Sequence, residues 1–116
     1  MLSIPTQRHI WLCTQPTDMR RSFDGLSALV RNHLGEDPTS GYWFAFINRR
    51  ATQIKVLAYE EGGYCVWSKR LEQGRFAALS AAGTAKRRLC RTEFLALIEG
   101  VDLVIKRQRK RYKKVA

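Results

Sequence analysis

Met19, Phe23, Leu26, Leu29, Val30 and Leu34 recur at spacings of three and four, the period of a helix with one apolar face. Thr17 or Asp18 offers a side-chain oxygen for the N-cap, and Gly35 follows Leu34 as a stop, so the spacing predicts a helix over 18–34 packed on a sheet. Its other side carries Arg20, Asp24, Ser27 and Arg31, with Arg20 and Asp24 spaced for an i,i+4 ion pair. Phe23 and Leu26 fall on the buried stripe and read as architectural. Gly25 costs about 1 kcal/mol against Ala inside a helix, so it is expected to mark a close approach by a neighbour.

A different period governs the segments on either side. His9 to Cys13 is a short apolar run closed by Thr14-Gln15-Pro16, which predicts a first strand. After the Asp37-Pro38-Thr39-Ser40-Gly41 turn come three β-rich runs, Tyr42 to Asn48, Gln53 to Tyr59 and Tyr64 to Arg70, joined by hairpin-sized linkers. The first of them is apolar on both faces and is expected to be the central strand. The next two alternate, Ile54, Val56 and Ala58 against Lys55, Leu57 and Tyr59, then Cys65 and Trp67 against Tyr64, Val66 and Ser68.

From Leu71 to Arg91 the apolar pattern weakens, and Ser80-Ala81-Ala82-Gly83-Thr84 reads as a loop. A second helix is predicted from Thr92, with Phe94, Leu95, Leu97 and Ile98 apolar and Gly100 as its stop. Val101 to Ile105 fits a short strand, and Lys106 to Ala116 has too much like charge to fold alone. The expected architecture is α+β: a single small domain over 1–105 with a mostly antiparallel sheet, one long helix on a face and a second C-terminal helix. A basic disordered tail over 106–116 follows. At 116 residues, 45% of them hydrophobic, the chain has room for one core and little more.

Charge changes the picture from fold to partner. Lys plus Arg number 21 against 10 Asp plus Glu, a net charge of +11. Residues 1–85 hold 10 basic and 7 acidic side chains, a net +3, and residues 86–116 hold 11 and 3, a net +8. Such a surface attracts polyanions. The tail lacks the interleaved Leu and Phe of a membrane anchor and the chain has no long apolar run, so nucleic acid is the expected partner and a membrane is not. Cys13, Cys65 and Cys90 are far apart and odd in number, which predicts reduced thiols, and Met1 to Pro5 lacks the apolar core of a secretion signal; the expected location is the cytoplasm.

The cations fall into groups. Lys106, Arg107, Arg109, Lys110, Arg111, Lys113 and Lys114 put seven charges in nine residues around Tyr112, which could stack on an exposed base. The plain alternative is a solubilising tail. Lys86, Arg87 and Arg88, with Arg91, form a similar cluster ahead of the second helix. Arg49 and Arg50 sit at a hairpin tip, where charge can serve solvation or phosphate. Lys69, Arg70 and Arg75 follow the third β run, with Glu72 able to neutralise part of them.

Catalysis is not expected. Asp18, Asp24, Glu60, Glu61, Glu72 and Lys55 are the residues from which a Mg²⁺ nuclease site would have to be assembled, and each has a simpler role: Asp18 as a cap, Asp24 in a helix pair, Glu60-Glu61 before a Gly-Gly turn. His9 and His33 are too few for a metal cage or a catalytic dyad, and no phosphate-binding glycine loop or nucleophile elbow is present, so neither a metal nor a cofactor is expected.

Thr17-Asp18-Met19-Arg20-Arg21-Ser22-Phe23-Asp24-Gly25-Leu26 resembles the TDMRxGFDGL opening of a bacterial family. Arg50-Ala51-Thr52-Gln53-Ile54-Lys55-Val56-Leu57, followed by Lys69-Arg70-Leu71-Glu72-Gln73-Gly74-Arg75-Phe76, is similar to its second block. The family is the TnpB accessory proteins of insertion-sequence-66 type transposable elements, distinct from the RNA-guided nuclease that shares the name. The likeness covers roughly 8–100, and two blocks in order are far more specific than either alone. Ser22 replaces the usual Gly, Ala58-Tyr59-Glu60 stands where Trp-Trp-Asp is common, and Ala77-Ala78-Leu79 replaces the x-Trp-Pro after Phe76.

The resemblance implies a protein that works beside a separate transposase and another element-encoded accessory protein, with no catalytic residues of its own. It directs attention to Arg20, Lys55, Lys69, Arg70 and Arg75. Such cations cannot be buried unpaired, so each must meet solvent, a carboxylate or a phosphate. The expected function is an accessory factor of transposition that binds DNA, the transposase, or both. The alternatives are a protein–protein adaptor without intrinsic DNA affinity and a metal-dependent nuclease.

Overall fold

The computed structural model describes residues 9–77 and 83–100. The elements run β1 (Ile10–Cys13), α1 (Phe23–Asn32), β2 (Trp43–Ile47), β3 (Gln53–Glu60), β4 (Gly63–Arg70), β5 (Lys86–Leu89) and α2 (Arg91–Glu99). The five strands form one sheet in the order β4-β3-β2-β1-β5. Only β1 and β2 pair in parallel, because α1 is the crossover between them; every other pairing is antiparallel.

Each face of the sheet has its own core. Ile10, Leu12, Trp43, Ala45, Ile54, Val56, Ala58 and Leu89 pack with Phe76 and with Phe94, Leu97 and Ile98 of α2 on one face. Cys13, Phe44, Phe46 and Leu57 pack with Leu26, Val30 and Leu34 on the other. This is why β2, Trp-Phe-Ala-Phe-Ile, is apolar throughout: it is the middle strand and is covered on both sides.

Several details depart from the sequence expectation. α1 starts at Phe23, not at Asp18, with Ser22 in the N-cap position and no side-chain cap bond. Asp18 instead accepts from the Arg20 backbone N–H at 2.9 Å and pairs with the Arg20 guanidinium, so the expected Arg20–Asp24 pair is replaced by Arg20–Asp18. Phe23 is 47% exposed and belongs to neither core, whereas Leu26 and Val30 are fully buried. The neighbour that Gly25 accommodates is the chain's own Arg21, whose Cβ lies 3.0 Å from where a Cβ on Gly25 would stand.

The segment that read as a basic cluster before the second helix is a strand: Lys86–Leu89 pairs antiparallel with the whole of β1. The β3–β4 turn is Glu61-Gly62, both at positive φ (49° and 82°), and Gly63 already belongs to β4 opposite Glu60. The Val101–Ile105 strand and the 106–116 tail lie outside the described residues, as does most of the 80–84 loop.

Candidate nucleic-acid interface

Strand order decides which ends of the chain's segments meet. β1, β2 and β4 point one way, β3 and β5 the other, so one end of the sheet collects the exits of β1, β2 and β4 and the entry of β3. Backbone bonds tie these connections to each other. Thr17 N–H donates to Ile47 O at 2.9 Å, Leu71 N–H to Thr52 O at 2.8 Å and Phe76 N–H to Ala51 O at 2.7 Å. The two sequence blocks, separated by more than twenty residues in the chain, thereby share one end of the sheet.

Arg49 and Arg50 occupy the β2–β3 loop. Asn48 folds that loop by accepting from Thr52 N–H at 2.8 Å and Gln53 N–H at 3.0 Å, while Ala51, at φ 57°, turns the chain back. A non-glycine residue there costs on the order of 1 kcal/mol, a strain held by the strap from Leu71 to Phe76 across the loop. Phe76, 3% exposed, anchors the strap and leaves Arg70 and Arg75 at its two ends. Arg49, Arg50 and Arg75 are exposed, and no described carboxylate pairs with them. Arg70 approaches Glu72 at 3.6 Å with both side chains mostly in water, a loose pair.

Lys55 and Lys69 hold the frame. The Lys55 ammonium donates to Met19 O at 2.7 Å and Arg21 O at 2.9 Å, fixing the segment that leads into α1 against β3. Lys69 donates to Ile98 O at 2.8 Å, supplying a donor to one of the carbonyls left over at the end of α2. Arg20 is bound to Asp18, whose carboxyl is lowered to about 2, chiefly by hydrogen bonds from the Arg20 guanidinium and backbone N–H; Arg20 is correspondingly raised.

Of the β5 cations, Lys86 pairs with Glu36 and lies 4.7 Å over the Trp11 ring, and Arg87 pairs with Glu93 at 2.8 Å. Arg88 alone of the three is exposed and, among the described residues, without a carboxylate. β5 is the opposite edge of the sheet from β4, so this patch is separate from the Arg70–Arg75 strap. Lys106, Arg107, Arg109, Lys110, Arg111, Lys113 and Lys114 lie outside the described residues.

The carboxylates proposed for a nuclease centre do not gather. Asp18 and Glu72 lie at the arginine-bearing end, each beside its own arginine, while Glu60 and Glu61 are at the opposite end on the β3–β4 turn. Among the described residues no three His, Cys, Asp or Glu side chains come together as a metal site, and no helix is long and apolar enough to cross a membrane. The sequence pattern put Phe23 on the buried stripe and did not single out Arg21, yet both are exposed. Arg21, exposed beside Arg20, carries a signal only in hindsight, through Gly25 four residues on.

The family described as IS66 Orf2 like protein matches residues 8–109. Two proteins of Sinorhizobium fredii (strain NBRC 101917 / NGR234) are similar over 93 residues. Uncharacterized protein y4hO is 34% identical, with 80% of each chain covered; Uncharacterized protein y4jC is 35% identical, covering 80% of this chain and 79% of its own. No solved structure matches the chain. The family match spans both blocks that meet at the arginine-bearing end, and it implies an accessory role in transposition: the chain belongs to the IS66 Orf2-like family.

Proposed function

We propose that this protein is a non-catalytic, cytoplasmic accessory factor of insertion-sequence transposition that grips the backbone of element DNA with the arginine-bearing end of its sheet and presents it to the separate transposase. The observation that carries the reading is the grouping of Arg49, Arg50 and Arg75 on one strapped loop system with no carboxylate among the described residues to satisfy them. Planar guanidiniums held on a rigid support suit phosphate oxygens. Backbone contacts of this kind position a protein on DNA without reading its sequence. Lys55 and Lys69 support the site from behind, and the tail would add sequence-independent affinity.

The test is a gel shift of labelled duplex over a salt series, with the full chain and with residues 106–116 removed. Binding by both proteins at low salt, weakening as salt rises and with a shallower slope for the truncated chain, is the expected result. If neither protein shifts DNA at low salt, the reading fails and the adaptor reading replaces it. Plasmid nicking that vanishes on Asp24→Ala or Glu60→Ala would instead establish a nuclease.

A further inference from the structure

Phe23 is the one large hydrophobic side chain exposed among the described residues, at 47%, and it packs with neither core. It opens α1 at the same end of the sheet as Arg49, Arg50, Arg70 and Arg75, one residue beyond the Arg20-Arg21 pair. Its backbone is pinned, because Lys55 holds the Met19 and Arg21 carbonyls just before it and Leu26 N–H donates to Ser22 O at 2.8 Å just after. Asp24, the next residue, projects about 100° further round the helix, and Asp18 is taken up by Arg20.

A lone exposed hydrophobic is ordinary surface; this ring differs in standing on a fixed support at the arginine-bearing end of the sheet. A protein interface would need a patch of hundreds of Å², and among the described residues no second exposed large hydrophobic accompanies this ring. A nucleobase needs one ring face flanked by cations for its phosphates.

Building on the phosphate-binding reading, we infer that Phe23 is a stacking platform for a single unpaired base, so that the protein binds single-stranded or locally unpaired DNA more tightly than a fully paired duplex. In a duplex both faces of every base are already stacked, and exposing one costs a few kcal/mol that an unpaired strand does not incur. The arginines at that end then take the phosphates of the strand.

Fluorescence anisotropy of the full chain with three labelled oligonucleotides of one length tests this: a single strand, its duplex, and the duplex with a central unpaired bubble. The single strand and the bubble are expected to bind most tightly. Phe23→Ala and Phe23→Leu should each lose about tenfold on those two probes and little on the duplex, because Leu keeps the apolar bulk but has no ring to stack. Phe23→Trp should keep the preference. Equal losses on all probes, an unaffected preference, or full retention by Phe23→Leu would overturn the inference while leaving duplex binding intact. No binding to any probe would remove the phosphate reading itself. Loss of transposase capture with unchanged DNA affinities would assign Phe23 to a protein contact and overturn the stacking role.

Discussion

Lys55 is where a single side chain connects sheet, loop and site. Its ammonium satisfies two backbone carbonyls of the segment carrying Arg20 and Arg21. Lys55→Met should lower stability by about 1–2 kcal/mol, seen as a shift in the denaturant midpoint, since two charge-assisted bonds go and the half-buried Met19 carbonyl loses its donor while the exposed Arg21 carbonyl turns to water. Arg49→Ala, an exposed change, should stay within about 0.5 kcal/mol. Asp18 gives a pH signature. Its folded pKa of about 2 lies below the ordinary 3.8, so its stabilising contact with Arg20 is present above pH 4 and is lost as pH falls toward 2. An NMR titration of its side-chain carboxyl should show that low midpoint, and an ordinary midpoint would dissolve the pair. The sequence offered Lys55 and Lys69 only water, a carboxylate or a phosphate; both took a fourth option, backbone carbonyls, which no side-chain pattern reveals.

The elements were legible where hydrophobic period and stop signals agreed. Gly100, at φ 75°, ends α2 as expected, and β2 is the central strand that its two apolar faces implied. α1 was drawn too long at its start because Met19 and Phe23 extend the helical stripe by one turn. The chain there is occupied with an Asp18 turn and with the Lys55 bonds, and Phe23 overhangs the core. β5 was hidden by composition: three of its four residues are cationic, and its existence depends on pairing with β1, a partner more than seventy residues away. α2 carries its own check. Cys90 Sγ accepts from Glu93 N–H at 3.4 Å, and Glu93 accepts from Cys90 N–H at 3.0 Å and from Arg87. Glu93→Ala should therefore cost about 1–2 kcal/mol in thermal or chemical unfolding, whereas Cys90→Ser, a better cap, should be neutral or stabilising. An equal loss from both would mean that the box does not govern the start of the helix.

At the scale of the molecule, charge is sorted by the direction of the strands. Arg20, Arg21, Arg49, Arg50, Arg70 and Arg75 lie at the end where β1, β2 and β4 leave the sheet, Glu60 and Glu61 mark the opposite end, and Arg87 and Arg88 stand apart on β5. Both sequence blocks were visible in the chain, but their meeting was not, because it depends on the parallel β1–β2 pairing and on the strap from Leu71 to Phe76. The central claim is that this end, and not net charge alone, grips DNA. The direct measurement is the slope of log affinity against log salt for a DNA duplex, with the full chain and with Arg49, Arg50 and Arg75 all changed to Ala. Three lost phosphate contacts should make the slope shallower by about 2 to 3 and weaken binding at low salt. An unchanged slope and affinity in a folded variant would contradict the account and place any DNA affinity elsewhere on the chain.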